Sequence, residues 1–208
     1  WAFTGHCCYF NLRKCENWKV ECGNCPAKKD YPTSYLYDNS KKNFKAKKQL
    51  FTALDINRLV IVSPSLWLKN IISKSFLKKY EVIVINNGIN TNIYNESKAL
   101  FTINKPMNKK MLLAVASVWD QRKGLDRLLY LFSKLQRDDC YLVIIGKLEK
   151  KIPPIPNVIH IDRTANMEEL KAYYQTADVF INPTLDENYP TVNLEAQACG
   201  CKVISSNA

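Results

Sequence analysis

The residues with the most chemical content lie in one stretch, Pro183-Thr184-Leu185-Asp186-Glu187-Asn188-Tyr189-Pro190-Thr191-Val192-Asn193-Leu194-Glu195-Ala196. It is placed to follow a strand and open a helix, where α/β proteins bind ligands beside the carboxyl edge of a sheet. Glu187 and Glu195 frame it with seven residues between them. A mostly helical stretch would set the two acids about 12 Å apart, at roughly 1.5 Å of rise per residue. Paired glycosidase carboxylates stand roughly 5–9.5 Å apart, so a hydrolytic acid/base pair is not expected. Two acids at the longer spacing can instead grip both ends of an extended ligand. Between them the leading amides of the helix, notably Thr191 and Val192, can receive an anion. Pro190 has no N–H to lose and suits the first helical turn. Carboxylate, anion socket, carboxylate is the layout that a nucleotide-diphospho-sugar would fill. The plainer reading is a capped helix bearing a solvated glutamate.

A second element faces the same edge. Met111-Leu112-Leu113-Ala114-Val115-Ala116-Ser117-Val118 runs into Trp119-Asp120-Gln121-Arg122-Lys123-Gly124-Leu125-Asp126. Arg122 and Lys123 thus sit after a buried strand and before a helix. There they can neutralise a diphosphate leaving group as its charge grows in the transition state. Other chemistries lack their residues. There is no G-x-G-x-x-G, no Walker phosphate loop, no H-E-x-x-H and no G-x-S-x-G, and His6 and His160 are the only histidines.

The remaining ligand-type residues are cysteines. Cys7, Cys8, Cys15, Cys22 and Cys25 crowd the first 25 residues. Cys22-x2-Cys25, with Cys15 and either Cys8 or His6, offers four ligands for tetrahedral zinc. Reduced packing cysteines or a disulfide are the competing readings. Cys140, Cys199 and Cys201 lie in apolar surroundings and are expected as buried reduced thiols, which fits a cytosolic compartment.

The elements that must position these residues follow from apolar runs. The chain has 208 residues, enough for one large domain or two modest ones, and its 47% apolar and 24% charged composition excludes wholesale disorder. No run of roughly 18 apolar residues is present to cross a membrane as a helix. A helix is predicted from Ser40 to Ala53 with Ser40 as cap, then a strand over 59–62 and a helix from 66 capped by Ser63-Pro64-Ser65. A strand over 82–85 ends at Asn86-Asn87-Gly88, and the polar stretch 90–110 reads as a linker. Beyond it strands are expected at 111–118, 141–145 (closed by Gly146), 158–161, 178–181 and 202–206. Helices are expected at 123–137, from an Asn166 cap through Tyr174, and from Pro190 to Cys199. Such alternation predicts parallel sheets with crossover helices, in two α/β lobes divided as 1–105 and 106–208.

Charge is uneven between these lobes. Residues 1–105 hold 17 Lys and Arg against 7 acids, whereas 106–208 hold 13 against 12. The run Lys41-Lys42-Asn43-Phe44-Lys45-Ala46-Lys47-Lys48 supplies much of the excess. A one-sided basic field favours an anionic membrane surface, a phosphorylated substrate or nucleic acid. A solvated helix face is the simpler account of the lysine run.

Glu187 to Glu195 is the E-x7-E signature of retaining glycosyltransferases with the GT-B fold, and the chain resembles that family throughout. Asp120-Gln121-Arg122-Lys123-Gly124-Leu125 looks like its donor-diphosphate loop. Ser63-Pro64-Ser65-Leu66-Trp67-Leu68 and Ile85-Asn86-Asn87-Gly88-Ile89-Asn90 resemble late segments of its N-terminal domain. The opening, from Trp1-Ala2-Phe3-Thr4-Gly5-His6-Cys7 through Cys22-Gly23-Asn24-Cys25-Pro26, is similar to the family-4 branch that builds bacterial capsule, O-antigen or exopolysaccharide.

The resemblance implies roles. Glu187 would hold hydroxyls of the transferred sugar, and Glu195 the nucleotide ribose. Arg122, Lys123 and Gly124 would form the diphosphate clamp with the Thr191 and Val192 amides, and Asn188 and Tyr189 would complete the substrate contacts. Arg163 and Thr164 occupy the place that contacts the base. Transfer would retain anomeric configuration, with the leaving diphosphate assisting as base and no divalent metal or other cofactor required. The donor would be a UDP- or GDP-sugar, and the acceptor a glycan or lipid-diphosphate-linked glycan at the cytoplasmic face of the plasma membrane, with no nucleic acid as partner. Many relatives carry an arginine five residues before the lysine, where this sequence has Val118, and Arg122 is expected to take over its charge. The resemblance also implies a fragment: the N-terminal lobe incomplete before Trp1 and the C-terminal lobe truncated after Ala208. An inactive remnant of the enzyme, or a basic Cys-cluster module for nucleic acid, are the alternatives.

Overall fold

A computed structural model describes residues 1–6, 10–30, 32–135 and 138–206. The chain separates into two compact units, Trp1–Asn87 and Gly88–Ala208. Among its described residues the first unit has one short 3₁₀ turn, Asn17–Lys19, ahead of its first helix. Helix α1 (Ser40–Phe51), strand β1 (Val60–Ser63), helix α2 (Leu66–Ile72) and strand β2 (Glu81–Val84) follow. β1 and β2 pair in parallel, Val60 opposite Glu81. As expected from the Ser-Pro-Ser signal, Ser65 caps α2, its side chain accepting from the Leu68 amide at 3.1 Å. Ser40 is the first helical residue of α1 and not its cap; Asp38 accepts its amide instead, at 2.9 Å. An aromatic cluster of Phe3, Phe10, Trp18 and Phe44 forms the core, joined by Leu68, Ile72 and Tyr80.

The second unit carries a five-stranded parallel sheet. Its elements in chain order are β3 (Lys110–Trp119), α3 (Leu125–Leu135), β4 (Cys140–Leu148), β5 (Val158–Ile161), α4 (Met167–Thr176), β6 (Val179–Asn182), α5 (Thr191–Ala198) and β7 (Val203–Ser205). The strand order is β5-β4-β3-β6-β7. β4 does not stop at Gly146 but continues to Leu148, past a register shift in β3 between Val115 and Val118. Alternation along the central strands feeds two cores. Met111, Leu113, Tyr141, Val143 and Ile145 join Tyr174, Phe180 and Ala196 on one face. Ala114, Ala116, Leu142 and Ile144 join Leu125 and Leu128 on the other. A strand buried on both faces reads as a continuous apolar run, which is why these strands were visible in the sequence.

The boundary expected at 105/106 lies at 87/88, and the stretch expected as a linker packs on the second unit. Tyr94 is buried edge-on against Tyr174, with Ile89 and Ile93 on the same core. Lys171 donates to Asn95 Oδ1 and Ser97 Oγ at 2.9 and 3.0 Å, while Gln175 donates to the Asn95 and Ser97 carbonyls. Farther on, Lys105 pairs with Asp178, which also accepts the Met111 amide at 2.8 Å. Polar composition concealed a segment that is fixed by hydrogen bonds and three apolar anchors. Cys199, Cys201 and Cys140 are buried as expected. Among the described residues no helix is long and apolar enough to cross a membrane.

Candidate active site

The sheet order places β3 beside β6, although β4, β5 and α4 intervene in the chain. The chain runs outward from β3 to β4 and β5 and then returns to lay β6 on the other side of β3, and such a change of direction is where α/β sheets bind ligands beyond the carboxyl ends of the strands. The loop after β3 holds Asp120 to Gly124 and the loop after β6 holds Pro183 to Pro190. These are the two segments that the sequence singled out, and they meet. The Leu185 amide donates to the Arg122 carbonyl at 2.7 Å, and Thr184 Oγ1 donates to the same oxygen at 3.3 Å.

Local sequence explains the first loop. Asp120 accepts the Lys123 amide at 2.9 Å and so caps a 3₁₀ turn over Gln121–Lys123. Gly124 ends that turn at φ 74°, and a Cβ there would stand 2.2 Å from the Pro183 carbonyl oxygen. Only glycine lets the two loops approach so closely. The expected helix over 123–137 thus begins at Leu125, and Arg137 lies outside the described residues.

Contact between the loops places Lys123 Nζ 2.5 Å from Glu187 Oε2, with both side chains about four-fifths covered. Lys123 is therefore engaged by the acid expected to hold sugar hydroxyls, not by an open phosphate position. Among the described residues the buried Nε of Arg122 has no hydrogen-bond partner, and it lies 3.9 Å from Asp120 Oδ2. Glu187 Oε1 faces the Asn188 amide at 3.2 Å. Asn188 and Tyr189 are half-buried in the same loop, and Asn182 steadies it by donating to Asn193 Oδ1 at 2.9 Å.

Helix α5 starts only at Thr191, with Pro190 as its N-cap and no side-chain cap bond. Pro190 thus precedes the first helical turn, and the spacing computed for a mostly helical interval does not apply. Glu187 belongs to a loop, and Glu195 sits in the second turn of α5. Glu195 Oε2 accepts from the hydroxyl of Tyr174 at 3.0 Å, and Tyr174 is fully buried in α4. Burial raises the Glu195 carboxyl above its ordinary range, and the Tyr174 hydrogen bond opposes part of that rise. Tyr94, packed on Tyr174, is pushed up to about 12 by burial and then by the Glu195 charge.

Arg163 and Thr164 line a different space, a cleft of about 1080 Å³ at the carboxyl ends of β3, β4 and β5. Ser117, Lys147 and His160 share it, and the His160 ring nitrogen lies 2.8 Å from the Gly146 carbonyl. Sequence reading missed these three and Tyr174. His160, one of two histidines and one strand-end away from Arg163, was the available signal. Val118, where an arginine was sought, is partly exposed near the end of β3.

Comparison with known proteins identifies the family and the fold. A family model described as "Glycosyl transferases group 1" matches residues 95–208. The putative colanic acid biosynthesis glycosyl transferase WcaC of Escherichia coli is 23% identical over 211 residues, covering 100% of this chain and 50% of that protein. The chain thus spans half the length of this relative. Sucrose-phosphate synthase from Thermosynechococcus elongatus superimposes with a TM-score of 0.63 at 19% identity, covering 79% of this chain and 44% of that one. Anabaena HepE, solved in complex with UDP-glucose, gives 0.56 at 14% identity, with 80% and 49% covered. Those two likenesses establish the fold, which is that of GT-B glycosyltransferases. Because the family match extends over more than half of its residues, the chain belongs to the group 1 glycosyl transferases.

Proposed function

We propose that the second unit is the donor-binding part of a retaining glycosyltransferase of family 4 that uses a UDP- or GDP-sugar in surface-polysaccharide synthesis. The observation that carries this reading is the joining of two switch-point loops that sets Lys123 on Glu187 beside the uncapped start of α5. A diphosphate arriving there meets Arg122 Nε and the Thr191 and Val192 amides. It also competes for Lys123, and as Lys123 turns to phosphate, Glu187 is released to accept sugar hydroxyls. Glu195, held by Tyr174, accepts the ribose hydroxyls, and the base enters the cleft beside Arg163 and Thr164. The sugar C1–O bond to the diphosphate then breaks as the acceptor oxygen bonds to C1 on the same face. The acceptor proton passes to the departing diphosphate, and no metal is needed in this scheme. Two relatives support the reading by their names alone, WcaC for polysaccharide synthesis and HepE for UDP-glucose. The acceptor is a glycan or lipid-diphosphate-linked glycan, and the basic first unit approaches it at an anionic, cytoplasmic membrane face.

Hydrogen exchange on the 208-residue chain tests the donor assignment. UDP, GDP or a nucleotide sugar is expected to slow exchange over 183–195 and 120–125. Exchange in those segments that no nucleotide or nucleotide sugar changes sinks it.

A further inference from the structure

Ligand-type side chains of the first unit take no part in the proposed transfer. His6, Cys15, Cys22 and Cys25 come from separate stretches of the irregular opening, yet all four line one cavity of about 20 Å³. Space on that scale holds a single water-sized guest. Phe10 and Trp18, both of the aromatic core, also wall it. Its polar lining is poorly satisfied: Nε2 of His6 is buried with no hydrogen-bond partner among the described residues. A buried imidazole nitrogen left in that state calls for an explanation.

The backbone around the thiols is already arranged for sulfur. The Gly5 amide donates to Cys22 Sγ at 3.2 Å, which fixes the position of that sulfur. A Cβ at Gly5 would stand 2.0 Å from the Ser40 carbonyl oxygen and 2.8 Å from Cys22 Cβ, so a side chain there would block the approach. Asn24 takes a left-handed φ of 47°, which bends the chain between Cys22 and Cys25. The Cys25 amide is fixed by Asp38 Oδ2 at 2.8 Å, and Trp18 Nε1 ties down the Cys15 carbonyl at 2.9 Å. Among the described residues no three His, Cys, Asp or Glu side chains yet stand at metal-holding distances. An ion would draw these four inward by side-chain rotation about a backbone that is already tied.

We propose that His6, Cys15, Cys22 and Cys25 form a closed, structural zinc site. Cys8, the other candidate for the fourth position, lies outside the described residues. Binding converts three thiols to thiolates with release of three protons, and neutral imidazole completes a tetrahedron with no open position for substrate. The site would tie the irregular opening into one folded piece, a task that apolar packing alone performs poorly in so short a segment.

Elemental analysis of the full chain, purified without chelator or metal-affinity resin, is expected to return about one zinc per chain. Cobalt exchanged into the same protein should give the absorption of a tetrahedral thiolate complex, and stripping the metal should speed hydrogen exchange across residues 1–30. Less than about 0.1 zinc per chain, together with failure to take up added zinc or cobalt, overturns the site. His6→Gln is expected to weaken zinc binding by roughly 10- to 100-fold and to alter the cobalt spectrum. If it does neither, His6 is not the fourth ligand and the assignment falls.

Discussion

Glu195 depends on a residue that no motif announces. Its carboxyl is half-buried, burial raises its pKa, and the Tyr174 hydroxyl supplies the hydrogen bond that holds it down. An ionised Glu195 accepts ribose hydroxyls best, so nucleotide binding should fail on the acid side as this group protonates. The sign is fixed by the environment: the midpoint lies above the ordinary 4.5 of a glutamate. Tyr174→Phe removes the opposing hydrogen bond and should move the midpoint to still higher pH. A hydrogen bond to a charged group is worth about 1.5–3 kcal/mol, so UDP affinity near neutrality should fall by at least about tenfold. Calorimetric titration of UDP at several pH values checks both, and an acid limb that stays in place would remove Tyr174 from the site. Glu187 and Glu195 were legible because their spacing brackets a helix start. Tyr174 was not, because in the sequence it is one more core position of a helix. The Lys123 pairing with Glu187 was hidden for another reason: 64 residues separate the partners, and only the sheet order brings them together.

Elements were legible where burial on two faces leaves an apolar run, as at Leu112 to Val115, or where a cap is written in side chains, as at Ser65 and Asn166. Asn166 Oδ1 accepts the Glu169 amide at 2.9 Å, which starts α4 where expected. The polar stretch 90–110 reads as a linker because polar residues both make linkers and make hydrogen bonds to a neighbouring helix, and composition does not distinguish the two. Placement of the loops after β3 and β6 rests on Gly124, whose role is likewise invisible without Pro183 opposite it. Gly124→Ala forces a Cβ against a backbone carbonyl at a φ that disfavours side chains. A loss of about 1–3 kcal/mol of stability is expected, read from urea unfolding. Because the strain falls on the contact that presents Glu187, UDP-sugar affinity should drop further in protein still folded at 25 °C. Gly88→Ala, with open space at its Cβ and no left-handed φ, should change neither quantity. Equal behaviour of the two variants would mean that loop contact does not set the donor site.

At the scale of the whole molecule, charge asymmetry is legible by counting, but counting overstates how much of it is available. Lys41 and Lys45 pair with Glu21 at 2.9 and 3.4 Å. Lys47 donates to the Trp1 and Thr4 carbonyls at 3.0 and 2.9 Å, and so serves the fold. Lys42 and Lys48 of the α1 run have no such partner among the described residues and face solvent. Ahead of α1, Tyr35, Leu36 and Tyr37 are each more than 70% exposed, an aromatic and apolar edge suited to a headgroup boundary. Anionic attraction plus shallow insertion is the pairing that reversible membrane contact requires, at about 1 kcal/mol per basic residue near the surface. The chain is therefore expected to co-sediment with vesicles containing phosphatidylglycerol and to release as ionic strength rises. Lys42→Glu with Lys48→Glu should weaken that binding by at least about tenfold while leaving UDP affinity unchanged. Replacing Tyr35, Leu36 and Tyr37 with serine should weaken it without altering its salt dependence, because insertion and charge act separately. Equal binding to neutral phosphatidylcholine vesicles, or indifference to both sets of substitutions, would place the acceptor's approach on some other surface of the protein.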